Sequence, residues 1–434
     1  VREAPWVVGI ALTALIVVTA TTAGFVTAMV VAFIGLGFLV VALLAGAMAI
    51  EADRSWLTLL LPLAFLAKMA GAAARYYQVT VIYGSGDAFG YHNTGVRIAP
   101  IWRTFQVPEV TSGGFGTQMT KQITGLIYTL GIPPMIGGFM IFAALSFVGT
   151  ILFYLAFRRS VPAWGALPYF VLLFFLPTML FWPSSTGKDA LVVFALGLIS
   201  YGAALAFSSR IVSGIVLISV GGLLSGLIRP HILVIAVGAI VFAMVLSRAG
   251  RFGSNRWTRI VVVSLAALAL VYLVPLASAR LGVDEGLDTF LAEEQRKTAQ
   301  GGSAVVGRPV TSPLDVPAAT LRVIFRPFPQ EASSPGMLLS AVEGLLLLGI
   351  VVWRVPTMWA NRRVLRRVPY VLYSLSFTFA FVIAFSSIFN FGILARQRSQ
   401  VIPFLLATIV GLGWRKWSDT DRAPTTISGE EINA

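Results

Sequence analysis

A chain of 434 residues with 57% hydrophobic and only 12% charged side chains lacks the polar surface of a water-soluble fold, whose charged fraction is about 25%. It has 32 Lys and Arg against 18 Asp and Glu, no cysteine and two histidines. A soluble enzyme, a disordered chain, a disulfide scaffold and thiolate chemistry are excluded, and a histidine-built zinc site nearly so. What remains is an all-α polytopic membrane protein.

In chain order, the start at Val1 reads as trimmed or processed, and no cleavable signal peptide is evident. A membrane helix needs about 20 apolar residues. Apolar runs extend from Trp6 to about Thr22, on to about Ile50, and from Trp56 to about Ala74. A polar stretch rich in Gly, Tyr and Thr follows, from Arg75 to about Lys121. Beyond Pro133-Pro134 a span reaches Phe157, a second runs from Trp164 to Trp182, and a third from Ala190 to Phe207. The run from Ile211 to Leu246 is too long for one crossing, and Arg229-Pro230-His231 divides it into two helices. Val261 to Ala277 spans again, before a second polar stretch from Ala279 to about Pro335. The last runs are Met337–Trp353, Val368 to about Ile388, and Val401–Trp414, with Phe389 to Gln400 as a short loop. These runs predict about twelve transmembrane helices in a single transmembrane domain over residues 1–416. Sizeable outer loops fall at about 75–121 and 279–335, and residues 417–434 form a disordered cytoplasmic tail.

Basic clusters at Arg158-Arg159, Arg248–Arg259, Arg354–Arg367 and Arg415-Lys416 mark the cytoplasmic side. They account for the net charge of +14 without nucleic acid. Counting spans puts both termini inside. Both polar stretches, Lys188-Asp189, Arg229-Pro230-His231 and Arg396/Arg398 then share the outer face.

Several outer segments have residue types suited to chemistry. Tyr83 to His92 is glycine-rich, with Asp87 and His92 as candidate acid/base groups and Tyr91 able to stack on a sugar. A solvated turn has the same composition. Pro183 to Lys188 precedes a helix start, where backbone N–H groups and a lysine suit phosphate. It is not a Walker A motif, because the upstream glycine is missing and no Ser or Thr follows Lys188. Arg229 lies between two apolar runs, either as a functional cation or as a snorkelling helix end. Arg326, with Phe328, belongs to a rigid Pro-rich loop. Glu343 sits in an apolar helix and needs a partner, which an arginine from one of these loops would supply. Arg396 and Arg398 lie on the side where topology disfavours arginine, which argues for an anionic ligand. Together these groups suit a lipid with a phosphate at headgroup level and a sugar outside.

The segments Gly86–His92, Trp182–Ala190, Phe325–Pro329 and Arg396–Arg398 resemble bacterial integral-membrane glycosyltransferases of the GT-C superfamily, in particular O-antigen and exopolysaccharide polymerase-like proteins. The resemblance implies a polyprenyl-(di)phosphate-linked sugar donor, used on the outer face of the bacterial plasma membrane without a nucleotide sugar. It implies a lipid-linked or glycan acceptor, surrounding membrane lipids, and no nucleic acid as partner. Asp87 is the expected general base, with His92 as the alternative. Lys188, Arg229, Arg326, Arg396 and Arg398 are expected at the lipid phosphate, and Tyr91, Trp182 and Phe328 along the sugar path. In many lipid-phosphate-sugar transferases an acidic pair follows the first helix. Here Asp87 follows the third and stands alone, so no cofactor is certain, and a divalent metal stays an open alternative that no acidic pair supports. The rival readings are a lipid-linked oligosaccharide flippase and a non-catalytic envelope-assembly subunit.

Overall fold

A computed structural model describes residues 24–247 and 310–418, apart from 53, 209, 311, 387 and 389. The expected spans Trp6–Thr22 and Val261–Ala277, the basic loop Arg248–Arg259, the polar stretch before residue 310 and nearly all of the 417–434 tail lie outside the described residues.

The described residues are helical and contain no strand. A bilayer offers no water to backbone N–H and C=O groups, and a helix satisfies them within its own segment. The helices are α1 (Phe25–Ala52), α2 (Leu57–Tyr77), α3 (Asp87–Arg103), α4 (Phe115–Tyr128), α5 (Met135–Ser160), α6 (Ala166–Phe175) and α7 (Pro177–Phe181). They continue with α8 (Lys188–Phe207), α9 (Ile211–Ile228), α10 (Pro230–Leu246), α11 (Val316–Thr320), α12 (Pro335–Ala360), α13 (Pro369–Ala384) and α14 (Phe391–Gly413). Six helices among the described residues, α1, α2, α5, α8, α9 and α12, are long and apolar enough to cross a membrane. The chain has the helices of a multi-pass membrane protein.

Three local readings change. The stretch 75–121, read as a polar loop, is largely helical: α2 runs on through a π turn to Ile82, and α3 and the first half of α4 follow. Its mixed composition hides an inward face on α3 made of Ala88, Tyr91, His92, Gly95, Ile98 and Ala99. The run Trp164–Trp182 is broken at Leu176, whose ψ of 131° is extended, because the following Pro177 disfavours helix at that residue. Phe389 to Gln400 is not a loop. α14 starts at Phe391, capped by the Asn390 side chain, so Arg396 and Arg398 lie within the helix. The division of the long run at Arg229 is as expected, with Pro230 at the first position of α10.

The described chain forms two compact units. Of the described residues, one takes in 24–113, Thr117–Phe147 and Pro183–Ala190; the other takes in Gly114–Gly116, Val148–Trp182 and those from Leu191 on. In the first, α1 packs along α2. α3 and α4 approach closely at two glycines: a Cβ on Gly95 would lie 2.6 Å from Thr124 Cγ2, and one on Gly125 would strike Ile98.

The axis of the second unit is α14, buried at every residue from Arg398 to Gly413 and packed by α6, α7, α12 and α13. Phe404 stacks on Phe377 at 3.9 Å between ring centroids and meets Phe153 and Tyr373 edge-on. α8 crosses α5 where Gly197 meets Gly149, so closely that a Cβ on Gly197 would lie 2.7 Å from the Gly149 Cα. Without a hydrophobic drive between helices in lipid, such close backbone contact is a main source of association.

The Gly197 contact predicts that Gly197→Ala lowers stability by about 1–3 kcal/mol, the usual cost of overpacking. Gly238→Ala on α10 places its Cβ in open space and is the control. Thermal unfolding of both variants in detergent checks this, and equal midpoints would contradict the close crossing.

Candidate functional site

Two polar clusters stand out, one in each unit. In the first unit, Gly86 has φ 139°, a conformation suited to glycine, and directs the chain into α3. Asp87 is the first residue of that helix and is exposed, at the end where the helix dipole favours a carboxylate. One turn on, Tyr91 and His92 point inward and are buried. The second half of the cluster comes from the turn before α8. Gly187, with φ 158°, sits beneath the Tyr91 ring, and a Cβ there would lie 3.2 Å from two ring carbons. His92 Nδ1 is 2.9 Å from the Tyr128 hydroxyl, at the end of α4. The Thr186 hydroxyl, the Tyr128 hydroxyl and His92 Nδ1 all border the side-chain-free face of Gly138. A Cβ on Gly138 would strike the Tyr128 hydroxyl and lie 3.0 Å from Thr186 Oγ1. The segments 87–92 and 184–188, chosen separately from the sequence, are therefore neighbours. Lys188 opens α8 half-buried, and Asp189 beside it is buried.

Burial sets the electrostatics of this cluster. His92 is 8% exposed and Tyr128 is fully buried. Removal from water holds the His92 pKa below the usual histidine value. Burial pushes the Tyr128 phenol up to about 12, and the neighbouring Thr186 hydroxyl offsets part of that rise. Tyr128 belonged to none of the sequence motifs. Its only trace was the spacing Thr120, Thr124, Tyr128, which puts three hydroxyls on one face of α4, all buried.

The second unit holds the other cluster. Glu343, on α12, is buried and accepts the Thr178 backbone N–H at 2.8 Å. Arg398 is its electrostatic partner and also donates from Nε to the Val323 carbonyl at 3.2 Å. Arg229, in the α9–α10 break, donates to Gln397 Oε1 at 2.5 Å, and Gln400 donates to the same oxygen. Arg326 forms an ion pair with Glu331 and lies over the Phe391 ring at 5.0 Å. Hydrogen bonds from Arg326 hold the Glu331 carboxyl below the ordinary carboxylate range.

The expected residues thus divide. Asp87, Tyr91, His92 and Lys188 belong to the first unit; Trp182, Arg229, Arg326, Phe328, Arg396 and Arg398 belong to the second. Two placements differ from expectation. Tyr91 packs its ring on Gly187 instead of standing out for a sugar. Arg398 is 3% exposed and is engaged with Glu343 and Val323. Arg396, Trp182 and Phe328 are half-buried. Among the described residues, no three His, Cys, Asp or Glu side chains are grouped to hold a metal ion.

The lowered His92 pKa has a definite sign in stability. The unfolded chain takes up the proton first, near pH 6.5, so the contribution of neutral His92 is complete above that value. It is lost progressively as pH falls toward the folded-state pKa. Unfolding midpoints measured from pH 7.5 to 5.5 should fall in the wild type, and fall less in His92→Gln. The same drop in both proteins would mean that His92 is not held neutral by burial. The chain matches no family model, curated protein or solved structure, so its function is argued from these two clusters.

Proposed function

We propose that the protein is a membrane glycosyltransferase or polysaccharide polymerase that transfers sugar from a polyprenyl-(di)phosphate donor to an acceptor hydroxyl. The observation that supports this reading best is the meeting of Tyr91 and His92 with Thr186 and Gly187 in one buried cluster. An acid/base helix start and a phosphate-suited helix start then adjoin. The proposal includes the GT-C-like family, about twelve spans, the bacterial inner membrane and cytoplasmic termini.

In this mechanism the acceptor oxygen attacks the anomeric carbon. The bond from that carbon to the phosphate oxygen breaks, and the phosphate leaves with the electron pair. Asp87 accepts the hydroxyl proton, a task that suits an exposed carboxylate. Lys188 and the N-terminus of α8 stabilise the phosphate charge, where N–H groups converge. Arg229, Arg326 and Arg396, with Trp182 and Phe328, belong to the second unit and are separate candidates for phosphate and sugar, and Arg398 holds Glu343 there.

A second reading, a lipid-linked oligosaccharide flippase, is favoured by Lys68 and Glu343, two ionisable groups buried within apolar spans. Transport without product formation would select it.

Asp87→Asn keeps side-chain volume and removes the base. Donor lipid should still bind the purified variant, while turnover falls by about 10²–10⁴-fold; unchanged turnover would remove Asp87 as the base. Arg396→Ala should weaken donor binding without unfolding the protein, and unaltered binding would count against its phosphate role.

The absence of cysteine permits a direct test of orientation. Single cysteines at Asp87 or Gln397 should react with an impermeant thiol reagent in intact cells, and cysteines at Arg251 or Arg363 should not. Labelling at 251 or 363 would overturn the assignment.

A further inference from the structure

Independently of the glycosyl-transfer reading, we infer that the turn between α12 and α13 is a binding platform for the headgroup phosphate of an anionic membrane phospholipid. Its cations are Arg362, Arg363, Arg366 and Arg367, joined by Arg415 and Lys416. All of them belong to the second unit.

The platform begins at the end of an apolar helix. α12 is long and apolar enough to cross a membrane, and a crossing helix delivers the residues after Ala360 to headgroup level. There Arg362–Arg366 form a 3₁₀ turn. The Val364 N–H donates to the Asn361 carbonyl and the Arg367 N–H to the Val364 carbonyl, both at 2.8 Å. Val364 is buried, and the four arginines are exposed. Residues three apart are aligned in such a turn, so Arg363 and Arg366 share one edge.

Asn361, itself buried, joins the second basic segment to this turn. Its Nδ2 donates to the Leu412 and Arg415 carbonyls, each at 2.8 Å, and its Oδ1 accepts the Trp417 N–H at 3.2 Å. Trp417 is fixed in turn: its Nε1 donates to the Gly411 carbonyl at 2.8 Å, and its ring meets Trp164 edge-on. Residues 414–417 are thereby folded against the end of α14. The exposed Arg415 and Lys416 are brought to the arginine turn.

Two features go beyond a basic cluster that only sets orientation. Orientation depends on how many cations flank a span and needs no fixed arrangement, whereas here one buried amide ties together two basic segments from distant parts of the chain. The cations also have no carboxylate near them in sequence, since no Asp or Glu occurs from Gly344 to Ser418. Like charges held at close range repel one another, and the anion that relieves this at headgroup level is a phosphate. A guanidinium meets its oxygens with two parallel N–H groups. Trp353 and Trp359, both exposed near the end of α12, add indole rings suited to the same depth. Arg362 lies over the Trp359 ring at 5.1 Å. Indoles beside guanidinium groups fit a lipid, which has apolar chains below its phosphate, better than a soluble polyanion.

The test is native mass spectrometry of the full-length protein in neutral detergent, titrated with phosphatidylglycerol and with phosphatidylethanolamine of the same acyl chains. The wild type should bind phosphatidylglycerol more tightly by about tenfold. No preference overturns the proposal, and the wild type decides this even if a variant fails to fold. Arg363→Gln combined with Arg366→Gln should remove most of the preference. Arg158→Gln combined with Arg159→Gln deletes the same charge at the end of α5 and should leave it. Equal losses in the two double variants would mean that charge number alone matters, and would overturn the platform. Asn361→Ala keeps every cation and should still weaken phosphatidylglycerol binding; an unchanged preference would also overturn it. Inorganic phosphate and a short RNA, each at the lipid concentration, should not displace the lipid. Displacement by either would reassign the surface to a soluble anion.

Discussion

A carboxylate closing a broken helix is the contact on which the second unit depends. Pro177 interrupts the run after α6, and the Thr178 N–H at the new helix start has no carbonyl of its own segment to bond. In water this would cost little. Inside an apolar bundle an unsatisfied donor costs about 1–3 kcal/mol, and Glu343 accepts it at 2.8 Å. That contact brings a carboxylate into the core and creates the need for a cation, met by Arg398 on the central helix α14. Removing either member of such a buried pair strands the other, at about 3–5 kcal/mol. The broken helix, α12 and α14 are thus held in one register by electrostatics as much as by packing. Gly344, next to Glu343, lies so close to the Phe325 carbonyl that a side chain there would collide with it.

The same constraint explains how other polar groups are accommodated. Thr124, Ser374, Thr378 and Thr408 each donate to the carbonyl four residues earlier in their own helix. Tyr169 donates to the Pro403 carbonyl, and Ser200 bonds the Tyr370 hydroxyl. Of the thirteen buried side-chain atoms without a hydrogen-bond partner among the described residues, two, Arg398 Nη2 and Gln400 Oε1, belong to the second polar cluster.

Much of this was legible from sequence because the physics involved is local. Apolar runs report helices directly, Arg229-Pro230 reports a break, and a lone Glu343 in an apolar helix demands a cation. Which arginine answered was not legible, since 55 residues separate Arg398 from Glu343 and only folding joins them. Tyr128 was missed for a related reason: a tyrosine ending an amphipathic helix is ordinary until Gly138 and Thr186 are seen beside it. α3 was hidden because its inward face mixes Gly, Ala, Tyr and His, and this composition resembles a loop when averaged over a window.

The Arg396-Gln397-Arg398 segment shows how much one change of secondary structure alters a chemical reading. In an extended loop, two arginines two residues apart project to the same side and could grip one phosphate together. On a helix, each residue advances about 100°, so positions 396 and 398 diverge by about 200° and cannot share a ligand. α14 turns Arg398 into the core toward Glu343 and Val323. Gln397 Oε1 accepts from both Gln400, three residues on, and Arg229. For the proposed donor phosphate, the guanidinium groups left in this region are Arg396 and Arg229, the latter held on Gln397. Two cations from distant parts of the sequence replace the adjacent pair, and Arg398 keeps the helix that carries one of them in place.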